Sequence, residues 1–554
     1  MPANAAIKFH PGAHTVDSGP IIGRVRAGSG FVNGFLEHAD TESFYVYAES
    51  DAHATEFRDL AAARDPKRRP VHSLSASELA VAGTLMLPDP SLGRAALADR
   101  RDDPRRYSLC GVTHTLSSKP AIRALSEFLT TPVQPWDALV CTSHAARAVV
   151  VRVIEAQAEH LASRSGVVPP DSPVRLPVIP LGVDTRTYAA DPAARAGLRR
   201  TIGASDDDII LLTLGRLTPV NKAHPVPMLF AAERAAAACA SRGIRLHHVF
   251  VGQRTSDAVL ESYRTAAQAF TDKASVHLLD GHNDTVVHEA WHGADVFFTL
   301  SDNLQETFGL TPIEAMAAGL PSVVSDWNGY RDTVVEGETG FRIPTLMPAP
   351  GDGRDLAERF RSGEDDFSMF HARACMATAC DVDRAAVCLE ALALDPDLRS
   401  RMGAAARRRA RTVYDWRLIV GAYQDLWAEL AEIRTASPIR HPFQSPPEVK
   451  PMVPDPFDAF QGHPTIVLHG RMTVRPRHRD VLQSVARLTG NTLSTVALDL
   501  SVPREQFNTV LGTIAKGTNT VDEIERAHLD CDGPILRRFL LWLCKFDVIS
   551  INDD

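Results

Sequence analysis

Short apolar runs alternate with longer amphipathic segments along most of this chain. Ala6–Phe9, Phe44–Tyr47, Ser108–His114 and Trp136–Ser143 read as strands, with helical stretches running through His38, over Ala121–Leu129 and from His144 onward. The pattern restarts at Asp208–Leu214 and continues through His247–Val251, Ser275–Leu278, Asp295–Leu300 and Ser322–Ser325. Continuous apolar runs, without the polar alternation of a one-sided sheet, suit parallel strands buried on both faces. Two successive blocks of β/α alternation therefore predict two doubly wound domains. The break between them is expected in Val178–Asp184, where Pro180 and Gly182 suit a boundary.

The stretch SDNLQETFGLTPIEAMAAGLPSVVSDWNGYRDTVVEGETGF, Ser301 to Phe341, carries the densest local signals. Glu306 falls in a loop past the carboxyl end of a predicted strand, where open α/β sheets bind ligands. Thr311 is expected as N-cap, Pro312 at the first helical position and Glu314 at N3, a T-x-x-E capping box. Gly319 and Pro321 then stop the helix. On local grounds alone Glu314 is a capping acid and Glu306 a solvated loop acid. Gly28, Ser29 and Gly30 are expected in a turn opening a helix, which could bring backbone amides to a phosphate; a plain turn is the alternative.

Composition narrows the class. A chain of 554 residues is too long for one core. A net charge of −9 argues against a general nucleic-acid binder. The start MPANAAIKFHPG lacks the basic and apolar regions of a signal peptide, and no apolar run approaches a membrane span. The eight cysteines lack a metal-ligand or disulfide-framework spacing and suit reduced thiols in a cytosol. No metal is expected, the His371, Cys375 and Cys380 group included.

Late in the chain the composition shifts. The arginines of residues 399–411 are expected on a solvated helix face. Val413–Trp416 begins a helix reaching Ile433. Seven prolines between Pro438 and Pro456 mark an extended linker. Residues 463–554 form a further small α+β domain. Its pieces are a strand at Met472–Val474, a helix at Asp480–Leu488, a helical stripe of Ile535, Leu536, Phe539, Leu540, Leu543 and Phe546, and a strand at Val548–Ile551. The arrangement is similar to a winged-helix or peptide-binding fold. Despite Arg471, Arg475, Arg477 and Arg479, the segment holds 11 Lys and Arg against 11 Asp and Glu, 11 − 11 = 0. A neutral domain points to a protein or peptide partner rather than a nucleic acid.

Glu306-Thr-Phe-Gly-Leu-Thr-Pro-Ile-Glu314, the following A-x-x-G-x-P-S-V-V-S and the later E-G-E-T-G-F resemble the E-x7-E signature of retaining, nucleotide-sugar-dependent glycosyltransferases of family 4. Gly215-Arg216-Leu217 with Lys222 is similar to that family's G-R-L…K element, and Pro180-Leu-Gly-Val-Asp184 to its P-x-G-V-D run. The resemblance covers roughly Ile21 to Ile433 and is most specific from Leu214 to Phe341. It implies the GT-B architecture, α/β with two Rossmann-like domains facing across a cleft. The domains would be 1–190 on the acceptor side, 191–411 for the nucleotide sugar, a crossover helix at 412–436, a linker at 437–462 and an accessory domain at 463–554.

By the same resemblance, Arg216 and Lys222 neutralise the donor diphosphate in place of a metal. Glu306 holds the donor sugar's hydroxyls, and Glu314 the ribose. Phe308, Gly309 and Leu310 line the nucleotide site, His114 lies beside the sugar, and Gly28 and Gly30 contact a substrate. The usual glycine pair near Gly28 is missing. Residues 349–377 look like an insertion. No cofactor is implied beyond the nucleotide-diphosphate sugar itself. The acceptor is unassigned among glycan, lipid-linked and small-molecule hydroxyls. A cytoplasmic, bacterial-type location is expected, with peripheral contact at the inner membrane left open. A sugar phosphorylase, a nucleotide-sugar epimerase and a nucleotide-sugar-sensing module that binds a partner are the alternatives.

Overall fold

A computed structural model of the chain describes residues 4–15, 23–100, 103–253, 256–437, 455–459, 461–490, 492–495, 504–517 and 519–553. They fall into two units that divide between Pro442 and Phe443. Residues 438–454, most of the proline-rich linker, lie outside the described residues.

The first unit holds two six-stranded parallel sheets. One is built from β1 (Ala6–Phe9), β2 (Phe44–Ala48), β3 (Val71–Ser73), β4 (Thr84–Met86), β5 (Ser108–Val112) and β6 (Ala138–Val140). Its order is β3-β2-β1-β4-β5-β6. The other contains β7 (Ile209–Leu214), β8 (Leu246–Gly252), β9 (Ser275–Asp280), β10 (Val296–Thr299), β11 (Ser322–Ser325) and β12 (Gly340–Ile343). Its order, β12-β11-β10-β7-β8-β9, is the same winding. Each sheet begins at its centre, grows to one side and then crosses to the other. That leaves a switch point between β1 and β4 and another between β7 and β10, where ligand crevices open. Every residue of β5, β6, β8, β10 and β11 is buried, which explains their mostly apolar composition; His247 and His248 of β8 and Ser322 and Ser325 of β11 are among the buried polar exceptions.

After a π-helical segment at Ala410–Tyr414, the helix Trp416–Ala436 crosses back and packs on the helix Gly23–His38. Trp416, Tyr423 and Trp427 join Phe31 and Phe35 in the core of the first domain. The indole of Trp416 fits against Gly30, Gly34 and Gly182; a Cβ on these would stand 2.9, 2.8 and 2.4 Å from ring atoms. Gly28 and Gly30 are therefore not in a phosphate-binding turn. Both lie inside the helix Gly23–His38, where a Cβ on Gly28 would meet the Ala13 carbonyl at 2.1 Å. Their small size serves helix packing; residues 16–22, just before this helix, lie outside the described residues.

The arginines of residues 399–411 also depart from expectation. Arg401 and Arg408 are exposed, but Arg407 donates to the Ala318 carbonyl at 2.6 Å, and Arg409 donates to the Thr333 and Asp332 carbonyls at 3.0 and 2.9 Å. Guanidinium donors there satisfy carbonyls that helix ends leave open.

Residues 349–377 form two helices, Arg354–Ser362 and Phe367–Met376. The excursion is closed at its base by an antiparallel pair, β13 (Thr345–Leu346) with β14 (Ala379–Cys380). His371, fully buried, faces the Phe367 carbonyl with Nδ1 at 2.6 Å and Ser117 Oγ with Nε2 at 2.7 Å. A carbonyl only accepts, so Nδ1 carries the proton and Nε2 of the neutral ring accepts from Ser117. Lys119 sits over the Phe360 ring at 4.5 Å, and Asn221 Nδ2 donates to Ser368 Oγ at 3.4 Å. The excursion thus touches loops of both domains.

The second unit contains a three-stranded antiparallel sheet, β16 (Asn519–Thr520), β15 (Thr473–Pro476) and β17 (Ile549–Asn552), in that order. The helix Gly533–Lys545 buries Leu536, Phe539, Leu540 and Leu543 against it. Ile535 and Phe546 of the expected stripe are only half-buried, and Arg471, Arg475, Arg477 and Arg479 are exposed. No described helix is long and apolar enough to cross a membrane.

Replacing Trp416, 6% exposed, with alanine should empty the notch between the two domains. The expected cost is about 3–5 kcal/mol of unfolding free energy in urea denaturation. A loss below about 1 kcal/mol would mean that the notch does not hold the crossover helix.

Candidate functional site

A cleft of about 910 Å³ opens between the carboxyl ends of the two sheets. That is near the upper end of the roughly 300–1,000 Å³ usual for small-molecule sites. Arg216 enters it two residues past β7, and Glu306 enters from the loop after β10, so the two flank the switch point of the second sheet. Arg216 is half-buried and its Nε has no hydrogen-bond partner among the described residues. Burial pushes its pKa down, and the charge of Glu306 opposes that push. Lys222 Nζ donates to Glu306 Oε2 at 2.7 Å.

Asn303 fixes both partners. Fully buried, it donates from Nδ2 to the Lys222 carbonyl at 2.6 Å and accepts at Oδ1 from the amides of Gln305 and Glu306 at 3.1 and 3.0 Å. One amide side chain thereby ties the Lys222 loop to the Glu306 loop. The carbonyl of Asn303 accepts from Trp327 Nε1 at 2.9 Å.

The motif helix runs Leu310–Ala318, with Gly309 as its N-cap and Gly319 as a left-handed C-cap. The expected capping box is absent. Thr311 is the second residue of the helix rather than its cap, Glu314 is the fifth, and no side chain caps the N-terminus. Gly309 has φ +95°, and a Cβ there would stand 2.1 Å from the Tyr330 ring, so the chain enters the helix two residues earlier than the T-P dipeptide suggests. The uncapped first turn, Gly309 to Thr311, lines the cleft. Phe308 is buried, 6.1 Å from the Tyr414 ring centroid to centroid.

Freed from capping, Glu314 is engaged from the first domain. It is buried and pairs with Arg26 Nη2 at 3.0 Å, and the buried Tyr188 lies beside the pair. The charge of Glu314 pushes the Arg26 pKa up; burial, then Glu314, pushes that of Tyr188 well above its usual value. His114 lines the cleft two residues past β5. Burial, then the charge of Arg24, pushes its pKa down to about 4, so the ring is neutral at pH 7. Gly28 and Gly30 do not line the cleft; Gly28 lies with His114 on a separate small apolar pocket.

Arg216, Lys222, Glu306, Glu314, His114, Phe308, Gly309 and Leu310 therefore share one cleft. Sequence reasoning missed Asn303, Arg26 and Tyr188. The Asn three residues before Glu306 could have been read as an Asx turn; nothing local marks Arg26 or Tyr188. Among the described residues no group of three or more His, Cys, Asp or Glu is placed to hold a metal ion.

Asp302, beside Asn303, is buried with Oδ1 unpartnered, and burial lifts its pKa from 3.8 to about 7. The folded state keeps its proton longer than the unfolded chain. The associated stability is fully present below pH 3.8 and lost as pH rises through 7. Urea denaturation should show a decline of up to about 1.4 kcal/mol per pH unit over that window, absent in Asp302→Asn. An equal slope in the variant would assign it elsewhere. Asn303→Ala should cost about 1–3 kcal/mol by the same measurement, since it strips partners from buried groups.

Residues 195–366 match the family described as glycosyl transferases group 1. Over 180 residues the chain is 32% identical to the D-inositol 3-phosphate glycosyltransferase of Geodermatophilus obscurus, covering 32% of this chain and 38% of that one. Over 248 residues it is 25% identical to the protein of the same name from Kribbella flavida, covering 44% and 49%. The chain thus spans less than half the length of these relatives. Among solved structures, Anabaena Alr3699/HepE in complex with UDP and glucose is 13% identical with a TM-score of 0.49, covering 77% of this chain and all of that one. Sucrose-phosphate synthase from Thermosynechococcus elongatus is 16% identical with a TM-score of 0.43, covering 77% and 96%. The architecture itself is read from this chain's own two sheets. The matched residues, 195–366, fall in the second of those two Rossmann-like folds.

Proposed function

We propose that this protein transfers a glycosyl group from a nucleoside diphosphate sugar to an acceptor hydroxyl, with retention of anomeric configuration and without a metal. The observation that carries this reading is the meeting of Arg216, Lys222, Glu306 and Glu314 in one cleft at the switch point of the second sheet.

In the reaction the bond between the sugar's anomeric carbon and the diphosphate breaks, and its electron pair stays on the phosphate oxygen. The acceptor oxygen bonds to the anomeric carbon on the same face and passes its proton to the departing oxygen. Negative charge builds on the diphosphate, beside Arg216 and Lys222 and the uncapped first turn of the motif helix. Cations and amides gathered in a half-buried cleft stabilise such charge. They supply the role a divalent cation plays elsewhere. Lys222 is free to turn from Glu306 to the diphosphate, leaving the Glu306 carboxylate to accept from sugar hydroxyls. Glu314 offers its remaining lone pairs to the ribose, held in place by Arg26 and Tyr188. His114, neutral, hydrogen-bonds the transferred sugar. No carboxylate nucleophile is assigned. The second unit has a recognition role toward a protein or peptide.

A thermal-shift screen with UDP-, GDP-, ADP- and dTDP-sugars in EDTA tests the proposal, since a ligand of the native state raises its melting temperature. One donor should stabilise the wild type but not Arg216→Ala. With that donor, Arg216→Ala should lower kcat by roughly 10²–10³-fold, the usual effect of removing one donor aimed at transition-state charge. Silence from every donor, with folded protein, would sink the reading.

A further inference from the structure

The 349–377 excursion is rooted in the second domain by the β13–β14 pair, yet its helices end against loops that carry residues of the cleft. Asp365, buried between the two helices, accepts from Arg359 Nε at 3.1 Å and from Arg373 Nε at 2.9 Å. Asp366 caps the helix Phe367–Met376 by accepting from the Met369 amide at 2.7 Å. The rings of Phe360 and Phe370 stack with centroids 4.7 Å apart. Phe367 lines the cleft with its ring centroid 4.1 Å from that of His371. Polar groups satisfied in this way stiffen the structure that holds them.

Two loops meet on this body, and a third is tied to the second of them. Ser117, three residues past His114 in the loop after β5, donates to His371 Nε2 at 2.7 Å, and Lys119 lies over the Phe360 ring. Asn221, beside Lys222, donates to Ser368 Oγ at 3.4 Å, and Cys375 Sγ donates to the Val220 carbonyl at 3.9 Å. The Asn221 carbonyl in turn accepts at 2.8 Å from Nε2 of Gln305, the neighbour of Glu306. The His114 loop belongs to the first domain and the other two to the second. An excursion serving the second domain alone has no use for a fully buried histidine bonded to Ser117. Parting the loops strips Nε2 of that partner, so the contact resists it.

We propose that Ser117 and His371 are positioning residues for glycosyl transfer. Through them the excursion straps the His114 loop of the first domain to the Lys222 loop of the second and fixes the space between. The inference rests on the transferase reading, in which Lys222 holds the diphosphate and His114 the transferred sugar. Those two groups sit on different domains, and the strap is a contact that ends beside both. Neither Ser117 nor His371 lines the cleft, so the pair acts through the loops it joins. Spacing of this kind is worth holding, because reacting groups displaced by about 1 Å can lose roughly 10²-fold in rate.

Kinetics of the full chain decide it, with the nucleotide sugar that raises its melting temperature as donor and release of nucleoside diphosphate as the signal. Ser117→Ala removes the hydroxyl and Ser117→Thr keeps it; each is assayed well below its own melting temperature. Ser117→Ala should lower kcat roughly tenfold or more, while the calorimetric Kd for the nucleoside diphosphate stays within about twofold of wild type. Ser117→Thr should restore most of kcat. Hydrogen exchange should quicken in Lys119–Ser126 and in Phe367–Met376 together in Ser117→Ala, since each loses what the other braces. Lowered stability with kcat unchanged would make the contact structural only and overturn the proposal. Equal losses of kcat in both variants, or a parallel loss of nucleoside diphosphate affinity, would overturn it too. A wild type that turns over no donor would overturn the transferase reading and this inference with it. An active wild type with an equally active Ser117→Ala would overturn this inference alone.

Discussion

The cleft exists because the indole of Trp416 sits in a notch of three glycines. Gly30 and Gly34 come from a helix of the first domain and Gly182 from the segment joining the two domains, and no side chain larger than hydrogen fits at any of them. Through this contact the last helix of the double fold becomes part of the first domain's core, with Tyr423 and Trp427 packed on Phe31 and Phe35. Packing of this kind is close to all-or-none, because interiors have no slack to absorb an added methyl group. The carboxyl edges of the two sheets are set facing each other as a result. Every polar contact across the cleft, Arg26 to Glu314 and Ser117 to His371 among them, depends on that placement.

Within the cleft, positive and negative groups are paired where geometry is to be held and left unpaired where a ligand would come. Asn303 uses its amide to lock the Lys222 and Glu306 loops together. Arg26 and Tyr188 hold the buried carboxylate of Glu314. By contrast Arg216 keeps Nε unpartnered among the described residues. The buried Nε of Arg216 costs free energy while it lacks a partner, which a bound anion would return. The first turn of the motif helix, with no side-chain cap, has the same character.

Much of this was legible in the sequence. Parallel strands buried on both faces are largely apolar, so β7, β8, β10 and β11 announce themselves, and loops at their carboxyl ends follow from the β/α alternation. That reasoning placed Glu306 past the carboxyl end of one strand, and the resemblance added Arg216, Lys222 and Glu314 to the same site. It failed where a residue's role depends on what packs against it. Gly28 and Gly30 looked like a flexible turn, because glycine means either conformational freedom or close approach, and only the neighbours, Ala13 and Trp416, tell which. Thr311, Pro312 and Glu314 fit the capping pattern, yet the glycine before them, set against Tyr330, starts the helix earlier and turns Glu314 toward Arg26.

The sequence by itself therefore determined the two blocks of parallel strands and the residues past several of their carboxyl ends, while the order of strands within each sheet came from the fold. The blocks and those residues follow from local propensity and from the period of burial, which are properties of neighbours in the chain. Only the tertiary structure decided which cations are spent on internal partners and which stay open. It also brought the 349–377 excursion onto loops of both domains and gave Glu314 its partners more than a hundred residues away. Such pairings are set by the approach of two surfaces in space, and spacing along the chain carries no record of it.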